Sequence, residues 1–375
     1  MKASATYVCP AKGLARFEAP DADLLGNAAL VGKGLGLEKL YIPVLENSLL
    51  VSPREKIVFL DELVRALDRT VEADLAAWII APCQRLLGVV WPAPYLVTPT
   101  RDPGGDPVFL DGRIRFLKAY EWWGDFSVIE KRIRWLRDLL SAVGGHPAIS
   151  GWIVLNRELE WARPDYRAAE FVLKSLTSEV KERNEGISVH LGIGWQEFGS
   201  PEIMRGLAGE VDGFFVSGLD KRLQNLDGPA SLEKETLVAA YLGALTRWLF
   251  KKEVEIEIGW EFRGKLINDE PWLEAGKRMA SVGLEGVNWL GLCDPLSTLI
   301  EEPPWVLHQG LDQASLLGRT LGAKEGLQEW LNEIRSVHSL PPEKTVEFVD
   351  VSPDEYFADP RKHLSRLWMR FKERF

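Results

Sequence analysis

Glutamates stand at two places in the sequence where a short apolar run ends. One run lies in WIVLNRELEW (152–161) and precedes Glu158, and the other lies in KKEVEIEIGWEFRG (251–264) and contains Glu257. Two facing carboxyl groups can divide acid and base work, because burial keeps one protonated while hydrogen-bond donors keep the other ionised. Cleavage of a glycosidic bond uses such a pair: one carboxyl protonates the leaving oxygen, and the other attacks or activates water.

The elements that must position these residues are short β-type runs that alternate with longer amphipathic stretches. The runs are rich in β-branched and aromatic residues, and the stretches repeat apolar residues at i, i+3, i+4 and i+7. The predicted strands are Ala5–Cys9, Lys39–Val44, Asp74–Ala81, Ser150–Asn156, Ile187–Ile193, Val211–Val216, Val254–Ile258 and Gly286–Leu292. The predicted helices are Arg54–Arg69, Ser127–Val143, Tyr166–Asn184, Leu232–Phe250, Pro271–Val282 and Glu325–Arg335.

Repeated alternation of strand and helix is typical of parallel βαβ units. The eight strands predict an α/β fold, a (β/α)8 TIM barrel that forms a single domain over residues 1–375. GKGLG (32–36) precedes a strand instead of following one and opening a helix, so it is interpreted as a helix-to-strand turn and not as a dinucleotide site. Residues 340–375 are predicted to be an appended strand or extended arm followed by a final helix.

A long connection, residues 82–125, separates predicted strand three from its helix. Because it follows a strand, it is predicted to lie on the C-terminal face of the barrel, where active sites of this fold lie. A connection of this length in a compact domain is usually functional or disordered, and its aromatic content argues against disorder. Four aromatic residues lie in this connection: Trp91, Tyr95, Trp122 and Trp123. One or two of them are expected to be platforms for sugar rings, while the others pack the loop.

Three motifs together resemble one group of enzymes. HPAISGWIVLN (146–156) has the pattern HPAI-x-GW-x-x-x-N, EIGW (257–260) has the pattern E-x-G-W, and Trp289 falls in predicted strand eight. This set resembles the retaining glycoside hydrolases of the 4/7 barrel superfamily, clan A, which includes the cellulase and β-mannanase family five. The resemblance implies a hydrolase that cleaves a β-linked glycan or oligosaccharide with retention and without a cofactor or metal.

The resemblance also implies roles for single residues. Glu257 matches the nucleophile at the end of strand seven, and Asn156 matches an Asn that bonds the 2-hydroxyl of the substrate. Trp289 matches a Trp that forms the floor of the sugar site. Further substrate contacts are expected from residues that follow predicted strands: Arg157, Trp195, Glu261 and Asp294.

The residue after Asn156 departs from the family pattern, since it is Arg157 where the family has its acid/base Glu. In an extended strand Glu158 points the same way as Asn156, so Glu158 is predicted to be the acid/base. Glu160 and the loop residue Glu121 are the alternatives. A different hypothesis is that Arg157 has replaced the acid/base and that the barrel binds carbohydrate without cleaving it.

The overall composition excludes several other classes. The net charge of −10 argues against a nucleic-acid partner and against binding to an anionic membrane surface. No apolar run approaches the length of a membrane span, and the His and Cys residues form no metal-ligand pattern. The expected partner is an oligosaccharide or polysaccharide, and the sequence does not specify an oligomer. No signal peptide is visible, so the chain is expected to be cytoplasmic, or secreted if such a peptide has been removed.

Overall fold

The computed structural model describes residues 1–8, 21–86, 89–101, 107–110, 113–162, 164–199, 202–218, 231–259, 270–294, 315–318 and 320–374. Within these residues, eight parallel strands close into a barrel in the order one, eight, seven, six, five, four, three, two. The barrel strands, numbered along the chain, are Lys2–Thr6, Lys39–Leu45, Ala76–Cys83, Ile149–Val154, Ser188–Ile193, Gly213–Val216, Glu253–Ile258 and Gly286–Trp289. The predicted (β/α)8 fold is confirmed.

Strand one begins three residues before its predicted start. Its sequence, KASAT, has little of the β-branched and aromatic content by which strands are recognised. Pairing decides its position instead, because Lys2 to Ala5 pair with strand eight and Ser4 to Thr6 pair with strand two.

Strand seven alternates Glu with Val and Ile, and its buried glutamates, Glu255 and Glu257, face the barrel interior. The carboxylate of Glu255 accepts hydrogen bonds from Lys39 and Tyr41 of strand two. The Lys39 ammonium also lies 4.4 Å from the ring centroid of Trp78. Burial raises the pKa of Glu255, while Lys39 opposes this shift. The N-terminal half of the barrel is therefore closed by a buried ion pair and aromatic rings.

Helices surround the barrel, and most of the longer ones begin at a capping side chain. Ser52 forms a capping box with Glu55, and Asp125 accepts the backbone N–H groups of Ser127 and Val128. The longer helices are Ala22–Gly34, Pro53–Glu72, Phe126–Val143, Tyr166–Arg183, Leu232–Phe250, Glu270–Ser281, Leu327–Ser336 and Pro360–Arg374. The shorter ones are Glu158–Trp161, Trp195–Phe198, Glu202–Leu207, Pro342–Thr345 and Pro353–Ala358. None of the described helices is both long and apolar enough to cross a bilayer.

The helix Ala22–Gly34 was missed from the sequence because it contains three glycines and is weakly amphipathic. GKGLG (32–36) ends this helix and turns the chain toward strand two. Its last residue, Gly36, has φ of 84°, a left-handed conformation that favours glycine. The interpretation of this segment as a helix-to-strand turn is confirmed.

The connection after strand three is a small sheet and not an irregular loop. In its described part, five strands pair with one another: Arg85–Leu86, Val89–Val90, Val97–Arg101, Pro107–Leu110 and Arg113–Ala119. Val90, Val108 and Leu117 form a buried cluster of their own within this insertion. The connection is therefore a folded unit with its own apolar contacts.

The C-terminal segment ends in the predicted helix, Pro360–Arg374. Leu367 and Phe371 are fully buried, and the Tyr241 hydroxyl donates to the backbone oxygen of Leu364 at 2.6 Å. The predicted strand or extended arm before it is wrong, because short helices and turns occupy residues 341–358.

Candidate active site at the C-terminal face

The chain turns sharply where barrel strand four ends. Leu155 and Arg157 have φ of 51° and 58°, so two residues with large side chains adopt left-handed backbone on either side of Asn156. Such conformations are costly for residues other than glycine and are concentrated at functional sites. The Glu158 N–H donates to the Leu155 oxygen at 3.2 Å, which closes the turn and starts the helix Glu158–Trp161.

The turn leaves Asn156 at the mouth of the barrel. Its Nδ2 donates to the backbone oxygen of Arg85 at 3.3 Å, and its Oδ1 accepts from the Ser217 hydroxyl at 3.5 Å. A Cβ added to Gly192 would lie 2.6 Å from the Cα of Asn156. Asn156 therefore bridges the ends of strands three, four, five and six, near the position that the sequence predicted.

The turn sends Glu158 in a different direction from the predicted one. Its carboxylate accepts two hydrogen bonds from the Arg132 guanidinium, at 2.7 and 2.8 Å. Arg132 lies on the helix Phe126–Val143, and both side chains are buried. Burial raises the pKa of Glu158 to about 7, against the opposing charge of Arg132. The expectation that Glu158 shares the orientation of Asn156 is wrong, because the backbone between them is not extended.

Arg132 joins Glu158 to a second buried carboxylate that the sequence did not reveal. Its Nε donates to Glu46 at 3.2 Å, and Glu46 also accepts from Gln84 and Tyr95. The ring centroid of Trp122 lies 4.5 Å from the guanidinium carbon of Arg132. The ends of strands two, three and four are thereby tied to one helix, with Arg132 at the centre.

A separate charged cluster lies at the ends of strands four and five. The Arg157 guanidinium donates twice to Oε2 of Glu160, at 3.1 and 2.8 Å, and Nη1 of Arg85 lies 3.3 Å from the same oxygen. Glu197 lies beside them and accepts the Gly194 N–H at 2.9 Å. Burial raises the pKa of Glu197 to about 8, and the neighbouring charge of Glu160 contributes to the same shift.

Glycines just after strands five and six give this cluster its room. A Cβ on Gly194 would collide with the Glu160 carboxylate, and a Cβ on Gly218 would collide with the Arg157 guanidinium. Side chains from the turn after strand four therefore extend across the ends of the next two strands. The signal in the sequence is the spacing of Gly192, near the end of strand five, and Gly194, which follows the strand two residues later.

The Gly192→Ala substitution is expected to destabilise the protein by about 1–3 kcal/mol, because the new methyl group meets backbone of the Asn156 turn. The matched control is Gly209→Ala, since a Cβ there meets nothing within 4 Å and is expected to change stability by less than about 0.5 kcal/mol. Urea unfolding of both variants measures the difference. Equal stability of the two variants would contradict the described packing.

Glu257 faces the barrel interior at the C-terminal end of strand seven. Its Oε2 lies 3.2 Å from Nδ2 of Asn288 on strand eight and 3.4 Å from the hydroxyl of Thr6 on strand one. Asn288 also donates to the Thr6 hydroxyl at 2.7 Å. These contacts fix the orientation of the carboxylate between three strands. The sequence predicted the position of Glu257 but missed Thr6 and Asn288.

Trp289 does not lie where the resemblance implies. Successive side chains of a strand point to opposite faces, and Asn288 points inward, so Trp289 points outward. Its ring packs on Trp330 of the helix Leu327–Ser336 with centroids 5.6 Å apart. The next residue, Leu290, belongs to the inner cluster instead. The expected floor role of Trp289 is therefore corrected to packing between barrel and helix.

The three tryptophans of the insertion are buried in packing contacts. Trp91 packs on Phe109 with centroids 4.6 Å apart, and Trp122 stacks on Trp123 at 4.0 Å. Each of the three is at most 5% exposed. Their rings lack the open face that a sugar platform needs, so the substrate role expected of these three tryptophans is corrected to packing.

The remaining predicted contacts differ in their surroundings. Trp195 begins a short helix after strand five and is half-buried. Asp294 accepts from the Ser315 N–H and from the Lys324 ammonium, at 3.3 and 2.9 Å, and joins the segments after strand eight. Glu261 lies outside the described residues. In the part of the chain that the structure describes, no group of three or more His, Cys, Asp or Glu side chains is arranged to hold a metal ion.

Solved structures share this barrel. A variant of a GH5_18 enzyme from Bifidobacterium longum subsp. longum, in complex with Manβ1-4GlcNAc, matches with 17% identity and a TM-score of 0.68, covering 91% of this chain and 80% of that chain. The fold is that of the family five glycoside hydrolases. The resemblance predicted from the motifs is thereby confirmed at the level of the fold.

Two further solved structures extend this similarity to other enzymes. An exo-β-1,4-mannosidase from Opitutaceae bacterium strain TAV5 matches with 13% identity and a TM-score of 0.66, covering 90% of this chain and 59% of that chain. A β-galactosidase from the psychrophilic Marinomonas ef1 matches with 13% identity and a TM-score of 0.62, covering 96% and 62%. No family model and no curated protein sequence matches the chain.

Proposed function

We propose that this protein is a glycoside hydrolase that cleaves a β-linked glycoside, with Glu257 as the nucleophile. The observation that carries the proposal is the Glu257 carboxylate, which faces inward at the end of strand seven with Asn288 and Thr6 on one of its oxygens. The barrel shared with a β-mannosidase and a β-galactosidase supports the same substrate class. Asn156, at the end of strand four, is suited to bind a sugar hydroxyl.

The proposed reaction proceeds with retention. Glu257 attacks the anomeric carbon while an acid protonates the leaving oxygen, and water then hydrolyses the glycosyl-enzyme with the same acid acting as base. The paired hydrogen bonds from Arg132 make Glu158 a poor candidate for that acid, because its carboxylate is held against the helix layer. Glu121 is an exposed residue that precedes the buried pair Trp122 and Trp123. It therefore lacks the buried surroundings that a catalytic acid needs. The carboxyl groups near Arg157, Glu160 and Glu197, are the remaining candidates for the acid.

The position of Arg157 favours a second candidate, a barrel that binds carbohydrate without cleaving it. Arg157 stands where the family has its acid/base, and its guanidinium is bound to Glu160. In this second candidate the charged cluster would bind sugar hydroxyl groups, and Glu257 would be a further acceptor.

A panel of aryl β-glycosides, including mannosides, galactosides and glucosides, tests the two candidates. The hydrolase is expected to release the phenol from at least one of them, with the β-anomer as the first product seen by proton NMR. A 2-deoxy-2-fluoro glycoside of the same sugar is expected to label Glu257. If no glycoside is cleaved and calorimetry still detects oligosaccharide binding, the binding barrel is the correct function.

A further inference from the structure

We infer that Glu197, after strand five, is the general acid and base of this site and that Glu160 is the residue that positions its proton. The inference rests on the proposed function. It names the residue that takes the acid/base role, because Arg157 occupies the position where the family has its acid/base Glu. Neither residue is at the position where the resemblance expects an acid.

The first step of the argument is location. Gly194 follows strand five on the inner face, and its N–H binds Glu197 at 2.9 Å while its Cα faces the Glu160 carboxylate. Arg157 reaches Glu160 from the turn after strand four. The two carboxyl groups therefore lie together at the barrel mouth, Glu160 in the segment after strand four and Glu197 after the neighbouring strand five.

The second step concerns the proton. Glu160 is 8% exposed, and the guanidinium groups of Arg85 and Arg157 both lie on one of its carboxylate oxygens. Glu197, 6% exposed, lies beside this charge, and two buried carboxylates that close together do not both ionise readily. The charged groups acting on Glu197 are Glu160 and Arg157, and burial with Glu160 raises its pKa to about 8. Because this pKa lies above neutral pH, Glu197 carries a proton at pH 7.

The reaction balances with these residues. Glu197 gives its proton to the glycosidic oxygen as the bond from that oxygen to the anomeric carbon breaks and Glu257 bonds to the carbon. The leaving sugar departs as a neutral alcohol. Water then attacks the anomeric carbon, its proton returns to Glu197, and the bond to Glu257 breaks. The charge of Glu160 favours the return of the proton.

The Glu197→Gln variant tests the inference through the leaving group. A 2,4-dinitrophenyl glycoside has a leaving group that needs no acid, whereas a methyl glycoside or disaccharide needs one. For the methyl glycoside or disaccharide, kcat/KM of the variant is expected to fall by about 10²–10⁴-fold. For the dinitrophenyl glycoside, kcat/KM is expected to stay within about tenfold of the unaltered protein. Azide is expected to speed turnover of the dinitrophenyl glycoside by the variant and to give the β-glycosyl azide. Glu202→Gln, at an exposed residue on the next helix, is the matched control. It is expected to leave kcat/KM unchanged for both kinds of substrate.

The pH profile separates a positioning role of Glu160 from a structural one. For the unaltered protein, kcat/KM on the disaccharide is expected to fall as the pH rises through about 8, because Glu197 loses its proton there. Glu160→Gln removes the neighbouring negative charge and leaves Arg157, so this basic limb should move to lower pH. A merely structural loss would lower the whole profile without moving the limb.

The outcomes distinguish this inference from the proposed function. If the unaltered protein cleaves no glycoside, the proposed function fails. If it is active and Glu197→Gln loses both kinds of substrate equally, or neither, then only the assignment of Glu197 fails. Gln is neutral like the protonated Glu197 and nearly the same shape, and thermal unfolding of the variant checks that the fold is kept.

Discussion

The Glu257→Gln variant is expected to lose on the order of 10⁴-fold or more in kcat/KM, about 5.5 kcal/mol of transition-state stabilisation. The loss should be of similar size for dinitrophenyl glycosides and for disaccharides, because bond formation at the anomeric carbon fails with any leaving group. The amide keeps the shape of the carboxylate and one oxygen for Asn288 and Thr6. The fold is therefore expected to be unchanged.

Glu253→Gln is the matched control for Glu257→Gln. Glu253 begins the same strand, four residues earlier, and its side chain is 59% exposed beside His190 at the opposite end of the barrel. Its kcat/KM is expected to stay within about twofold of the unaltered protein, since exposed substitutions away from a site have small effects. Undiminished activity of Glu257→Gln on an aryl β-glycoside would remove the nucleophile assignment.

The Arg132→Ala variant is expected to lose about 3–5 kcal/mol of unfolding free energy, because it removes one partner of a buried ion network. Glu46 and Glu158 would both lose a guanidinium within 3.2 Å while remaining in the interior. The Trp122 ring would also lose its cation contact. Urea unfolding measures the change.

Arg134→Ala is the control on the same helix, since Arg134 and its partner Glu130 are both more than 70% exposed. Its effect is expected to be less than about 0.5 kcal/mol, as for exposed pairs generally. The double variant Arg132→Met with Glu158→Gln should be more stable than Arg132→Ala, because it leaves one buried carboxylate fewer without its cation. A loss below about 1 kcal/mol for Arg132→Ala would contradict the network.

The sequence was sufficient for the architecture because the elements have strong local signals. Buried parallel strands are continuous apolar runs, and the helices between them carry a clear 3.6-residue period and caps such as Ser52 and Asp125. The misjudged elements lack those signals: strand one is short and rich in small residues, and the helix Ala22–Gly34 is rich in glycine. Their positions depend on pairing and packing with distant segments.

Part of the site also followed from the sequence. Glu257 could be located because the EVEIEI alternation places every second residue on the inner face of a barrel strand. The same rule, applied with the correct register, reverses the expectation for Trp289, whose neighbour Asn288 occupies the inner face. Register is set by pairing with strands one and seven, which are far away in the sequence.

What only the tertiary structure decided is the direction of the side chains after strand four. A strand continued past Asn156 would turn Glu158 toward the mouth, whereas the left-handed Leu155 and Arg157 turn it toward Arg132. No local pattern predicts such a turn, because residues with large side chains seldom adopt it unless surrounding contacts impose it. The sequence determined that this is a barrel with Glu257 at its mouth, since both follow from periodicity. The partners of Glu158 and Glu257 are Arg132 and Asn288, which lie tens of positions away, so they are known only from the folded chain.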